Sequence, residues 1–80
     1  LYPMFHPQLK TVNKRLESFK NWSIQFQQTK TQMSEAGFFY TGVADKVICF
    51  CCGVAILNWK PTADSWEQHA LVSPQCLFIL

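Results

Sequence analysis

The sequence predicts a small α+β domain whose core is too thin to hold it together unaided, and three observations predict it. First, 80 residues make one domain at most. A domain of that size buries barely more than half of its unfolded surface, so it usually needs a staple: disulfides, a metal or a partner. Second, four cysteines and a histidine are spaced in the second half of the chain like a ligand set. Third, short helix-like and strand-like segments follow one another, each bounded by its own cap or turn residues. The composition agrees. Apolar residues are 49% and charged residues 15%, which is globular and excludes disorder. A net charge of +2 is too weak to imply nucleic acid. The opening "LYPMFHP" lacks the basic start and apolar run of a signal peptide. The longest apolar runs, "VICFCCGVAIL" (47–57) and the C-terminal "LFIL", are too short to span a bilayer. A cytoplasmic protein, with neither membrane nor nucleic acid as partner, is the expectation.

The elements can be justified in order. Residues 1–10 read as a flexible lead-in and 11–80 as the domain. Between Thr11 and Phe19, Val12, Leu16 and Phe19 recur at helical spacing, which predicts a short amphipathic helix. "NWSIQFQQ" is irregular. Thr29-x-x-Gln32 has the form of a capping box, and a helix of about two turns should run to Ala36, with Gly37 as its left-handed stop. "FFYT" (38–41) is strand-like, "GVAD" (42–45) a hairpin turn, and "KVICF" (46–50) the return strand. "ILNW" (56–59) should be a third, edge strand. Asp64-x-x-Glu67 reads as a cap that opens a helix through about Val72, which carries His69 and is ended by Pro74.

The motif C-x2-C-x16-H-x6-C joins Cys49, Cys52, His69 and Cys76. In Cys49-x-x-Cys52 both thiolates can face one ion from a tight turn, which Gly53 relaxes. Three thiolates and one imidazole fill the zinc tetrahedron and leave no place for water, so one Zn2+ held here is structural. A disulfide and a Cys–His nucleophilic dyad are the alternatives. Adjacent Cys51 and Cys52 cannot easily reach different partners without strain, and no secretory context supports oxidation. Cys51 is one residue out of phase and reads as a partly buried free thiol. The ion would tie the sheet, the last helix and the tail together.

"RLESFKNW", "SEAGFFYTGVADKVICFCCG", "LNW" and "DSWEQHALVSPQC" together resemble the baculoviral inhibitor-of-apoptosis repeat, the BIR domain, from about Arg15 to Phe78. The pattern is closest to the peptide-binding subclass found as second and third repeats. The resemblance implies a three-stranded antiparallel sheet surrounded by short helices with one structural zinc; a saturated ion, with no paired carboxylates or activated nucleophile, argues against an enzyme. The resemblance implies an interaction module of an apoptosis inhibitor. In that subclass a groove beside the third strand takes the free N-terminus of an alanine-first motif, on caspases or on apoptosis antagonists, as an added strand. Carried over by position, the groove comprises Ile56, Leu57 and Asn58 on the edge strand and Trp59 as wall of the first pocket. Ala63, Asp64 and Gln68 surround the peptide ammonium, and Val72 stands at the outer wall.

Several of these positions depart from the subclass. The acid usual at position 63 is Ala63, the tryptophan usual at 72 is Val72, and the acid common at 58 is Asn58. Ala55 stands where glycine is common, and Asp64 is expected to be occupied as a helix cap. Losing a carboxylate opposite an ammonium costs on the order of 2–5 kcal/mol of binding. Weak binding of alanine-first peptides follows. The resemblance also implies an inward-facing Arg15. Alternative contact modes are self-association, adaptor binding through helix faces, and docking through the lead-in "LYPMFHPQL"; the alternative of another class is a nucleic-acid-binding zinc module, which the +2 charge fits poorly. Trp22, Trp66 and Phe38–Tyr40 are expected in the core, and His6 has no expected role. The cations Lys10, Lys14 and Lys20 read as a solvated face.

Overall fold

A computed structural model of the protein describes residues 3–80. Leu1 and Tyr2 of the lead-in lie outside the described residues. A 3-10 turn at Pro7–Leu9 is followed by α1 (Val12–Glu17), α2 (Lys30–Glu35), β1 (Phe38–Tyr40), β2 (Val47–Cys49), β3 (Ala55–Ile56) and α3 (Ser65–Val72).

Each helix starts where a side-chain oxygen satisfies an otherwise orphaned N–H. Thr11 accepts from the Lys14 N–H at 3.3 Å, which starts α1 at Val12. Thr29 and Gln32 close a reciprocal capping box on α2. Asp64 accepts from the Glu67 N–H at 3.0 Å to open α3. Gly37 ends the second helical segment with φ +98°. A Cβ there would stand 2.9 Å from the Phe78 ring, so both backbone angle and space call for glycine.

The sheet is antiparallel with order β1-β2-β3, which leaves β3 as an edge. Phe38 pairs with Cys49 and Tyr40 with Val47; Val47 pairs in turn with Ile56. The core lies between sheet and helices and contains Phe19, Met33, Phe38, Val47 and Phe50. Tyr40 stacks on Phe19, and Trp22 meets Phe19, Phe26 and Tyr40 edge-on. Arg15 is inside as well, 3% exposed. Its Nε donates to the Ser34 carbonyl at 2.8 Å, and a second guanidinium nitrogen donates to the Leu9 and Lys10 carbonyls at 3.0 Å. The guanidinium also lies over the Phe50 ring, 4.6 Å from its centroid.

Four expectations need correction. The third strand is Ala55–Ile56, not 56–59. Asn58 has φ +60° and turns the chain off the sheet. The N–H groups of Asn58 and Trp59 then bind the two carboxylate oxygens of Asp45, at 2.8 and 2.7 Å, instead of a strand. Trp66 is not core: it is 43% exposed and stacks on Phe78 across an outer face. Val12, expected on the buried stripe of α1, is exposed, and Arg15 takes the inward place. The described part of the lead-in is held rather than loose. Phe5 and His6 donate backbone N–H groups to the carbonyls of Cys51 and Phe50, and the His6 ring meets Phe39 edge-on.

Candidate functional site: a metal centre beside an edge-strand groove

The tight turn after β2 presents Cys49 and Cys52 on one side. The Cys49 Sγ accepts from the N–H groups of Cys51 at 3.3 Å and Cys52 at 3.5 Å, and the Gly53 N–H closes the turn onto the Cys49 carbonyl. Gly53 itself has φ +78°, and a Cβ would strike the Phe5 ring at 2.9 Å. From α3, His69 reaches the same point fully buried. Its Nδ1 is 2.7 Å from the Ala36 carbonyl, which makes Nδ1 the protonated nitrogen and turns the Nε2 lone pair toward the sulfurs. Cys76 arrives from the turn after α3.

The four ligand atoms all lie within 4.8 Å of one another. The Cys49 and Cys76 sulfurs are 3.8 Å apart, and the Cys52 sulfur is 3.7 Å from the His69 Nε2. A tetrahedron with metal–sulfur bonds of about 2.3 Å has edges of about 3.8 Å, so the spacing fits zinc. It does not fit a disulfide, whose sulfurs bond at about 2.05 Å. Among the described residues this is the one such His/Cys/Asp/Glu group. Cys51 is outside it, 3% exposed. Burial pushes the Cys49 thiol well above the ordinary range, against the pull of the Cys52 and Cys51 N–H groups. Burial lowers the His69 pKa, partly offset by the Ala36 carbonyl. Burial alone would raise Cys76, but the N–H groups of Ile79 and Phe78 and the thiols of Cys52 and Cys49 bring it down. Three thiols, two of them fully buried, and a neutral imidazole backed by the Ala36 carbonyl are the donor set a soft divalent cation takes.

Beside this centre is a cavity of about 260 Å³, lined by Ile56, Leu57, Asn58, Trp59, Lys60, Thr62, Ala63 and Gln68. Six of the eight groove positions expected from the sequence are in that lining. Asp64 and Val72 are not: the Asp64 carboxylate caps α3, and Val72 is exposed at the far end of that helix. Trp59 meets Phe38 edge-on at 5.7 Å, and Phe38 lies 4.6 Å from the His69 ring, so the groove wall rests on the metal centre through one phenyl ring. Gln28 is the residue that sequence reasoning missed. It is 4% exposed, and its amide nitrogen donates to both the Lys60 and Ala63 carbonyls at 2.8 Å. Its backbone carbonyl accepts from the Trp22 indole at 2.8 Å. Nothing in "NWSIQFQQ" signals a buried amide, because the groups it satisfies are 32 and 35 residues away.

Fold and site together define a class: a small α+β domain with a Cys3His centre that fits structural zinc and an open sheet edge beside it. The chain belongs to the BIR family; the family model described as "BIR: Inhibitor of Apoptosis domain" matches residues 15–80. It is 39% identical over 79 residues to the E3 ubiquitin-protein ligase XIAP of Xenopus tropicalis, covering 99% of this chain and 16% of that protein. It is 46% identical over 66 residues to the human Baculoviral IAP repeat-containing protein 8, covering 82% of this chain and 27% of that protein. Among solved structures, the crystal structure of DIAP1 BIR1 bound to a Grim peptide matches with a TM-score of 0.79 and 34% identity, over 85% of this chain and 69% of that one. The chain thus spans well under a third of these two curated relatives. No helix among the described residues is long and apolar enough to cross a membrane.

Proposed function

We propose that this BIR domain, a protein-interaction module, binds an extended peptide segment of a caspase or an apoptosis antagonist along the free edge of β3. One structural Zn2+ on Cys49, Cys52, His69 and Cys76 holds the edge in place. The observation that carries the reading is the cavity. Six positions that the family resemblance assigned to the groove converge on one concavity beside an edge strand. An edge strand offers unpaired N–H and C=O groups to an added strand, and a neighbouring pocket supplies selectivity. The DIAP1 BIR1 relative is described with a Grim peptide bound, which supports the same mode here. The zinc neutralises most of the thiolate charge and cross-links elements that share little core; it performs no step.

Alanine-first peptides should bind poorly. Ala63 brings no carboxylate to the cavity, and the nearby Asp64 spends its oxygen on the Glu67 N–H. Calorimetry with a tetrapeptide beginning Ala-Val-Pro is the test. The expected affinity is weaker than low-micromolar; tighter binding would show that the groove holds an ammonium by other means. One observation favours a second contact mode. Phe5 is 72% exposed although its backbone is held against Cys51, which makes the anchored lead-in a ready protein contact.

A further inference from the structure

We infer that the groove of this chain selects an extended peptide whose anchor side chain is acidic, an inference that rests on the groove reading above. Among the lining side chains, Lys60 carries the sole formal charge. The remaining polar lining groups are neutral: Asn58, Thr62, Gln68 and the Trp59 indole. The Trp59 Nε1 is buried with no hydrogen-bond partner among the described residues, so it offers no donor at the cavity surface. Asp45 and Asp64 both accept backbone N–H groups. Asp45 gives one oxygen each to the N–H groups of Asn58 and Trp59, and Asp64 caps α3. Neither belongs to the lining. A lining with one cation, neutral polar groups and no carboxylate disfavours an ammonium and favours a carboxylate.

The Lys60 position is fixed, not incidental. The buried Gln28 amide holds the Lys60 and Ala63 carbonyls from behind, and the Ala63 N–H closes onto the Lys60 carbonyl at 3.0 Å. This holds the backbone of the turn that brings Lys60 to the cavity lining. The occupant is therefore a strand-forming partner segment that places Asp or Glu against the cavity and does not depend on a free chain end.

The test uses fluorescence anisotropy on the zinc-loaded chain with three labelled tetrapeptides: Ala-Val-Pro-Phe with a free amine, its N-acetylated form, and acetyl-Asp-Val-Pro-Phe. The acidic peptide should bind about two- to fivefold tighter than the acetylated alanine peptide, the margin of an exposed ion pair, and added salt should erase it. Lys60→Gln should remove the preference while leaving metal content unchanged. Ala63→Glu should reverse it in favour of the free amine. If the free-amine peptide binds the native chain best, or Lys60→Gln leaves the acidic preference intact, the inference is overturned. If no peptide binds the native chain but Ala63→Glu captures the free amine, the groove exists and the acidic preference is wrong. If neither protein binds any peptide, the groove reading itself fails.

Discussion

Cys51 and Cys52 are neighbours with opposite fates. Cys52 turns toward the His69 Nε2, while Cys51 lies buried outside the ligand group. Replacing Cys51 with serine should leave one zinc per chain, whereas Cys76→Ser should lose the metal; metal analysis after desalting distinguishes them. Retained zinc in Cys76→Ser would mean that Cys51 can stand in for it. Arg15 is the other residue with an outsized role. Its guanidinium ties the carbonyls of Leu9, Lys10 and Ser34 together in a buried place. Arg15→Met keeps the bulk but leaves those acceptors without their donor. The expected loss is on the order of 2–4 kcal/mol, read from urea unfolding of the zinc-loaded protein. A change under about 0.5 kcal/mol, the range of an ordinary surface substitution, would show that packing on Phe50 suffices.

At the scale of elements, the part most readable from sequence is the part governed by local rules. Thr29, Gln32, Gly37 and Asp64 each announce a cap or a stop, and each does that work. The spacing of Cys49, Cys52, His69 and Cys76 likewise named the side chains that the fold gathers within 4.8 Å. What failed was long-range. "ILNW" looks like a strand by composition, but it is decided by Asp45, which sits 13 residues before Asn58 and captures its N–H. Asp45→Ala should therefore cost little helix or sheet elsewhere, yet strip the slow hydrogen exchange of the Asn58 and Trp59 amides. Persistent protection there would contradict the carboxylate clamp. Gln28 was invisible for the same reason. Gln28→Ala leaves two carbonyls of the 60–63 turn without their donor, for about 1–3 kcal/mol, and should weaken peptide binding while zinc is retained. An unchanged affinity would show that the turn needs no support from behind.

For the molecule as a whole, magnitudes decide what holds it together. A domain of this length is worth roughly 0.1 kcal/mol per residue, or about 8 kcal/mol in all. A structural zinc contributes on the order of 10 kcal/mol or more at neutral pH. Removing the ion should therefore unfold the chain and not merely loosen the Cys49–Cys52 turn. Acid should act in the same direction. Burial depresses the His69 pKa, so the unfolded chain takes up that proton first. The stability that neutral His69 contributes is present above the ordinary imidazole pKa of about 6.5 and is lost as pH falls below it, while protons also compete for the thiolates. A urea midpoint at pH 5 that matched the one at pH 7.5 would count against this. The need for a staple was legible from length and cysteine spacing. The docking of the described lead-in on the turn after β2 was not, because the segment carries no periodicity and its partners, Phe50, Cys51 and Phe39, are more than thirty residues away.

X-ray absorption at the zinc edge tests the central claim most directly. The ion in the purified chain should show three sulfurs at about 2.3 Å and one nitrogen at about 2.0–2.1 Å. A shell of four sulfurs, a shell containing oxygen, or a cooperatively folded chain with no metal to measure would contradict it.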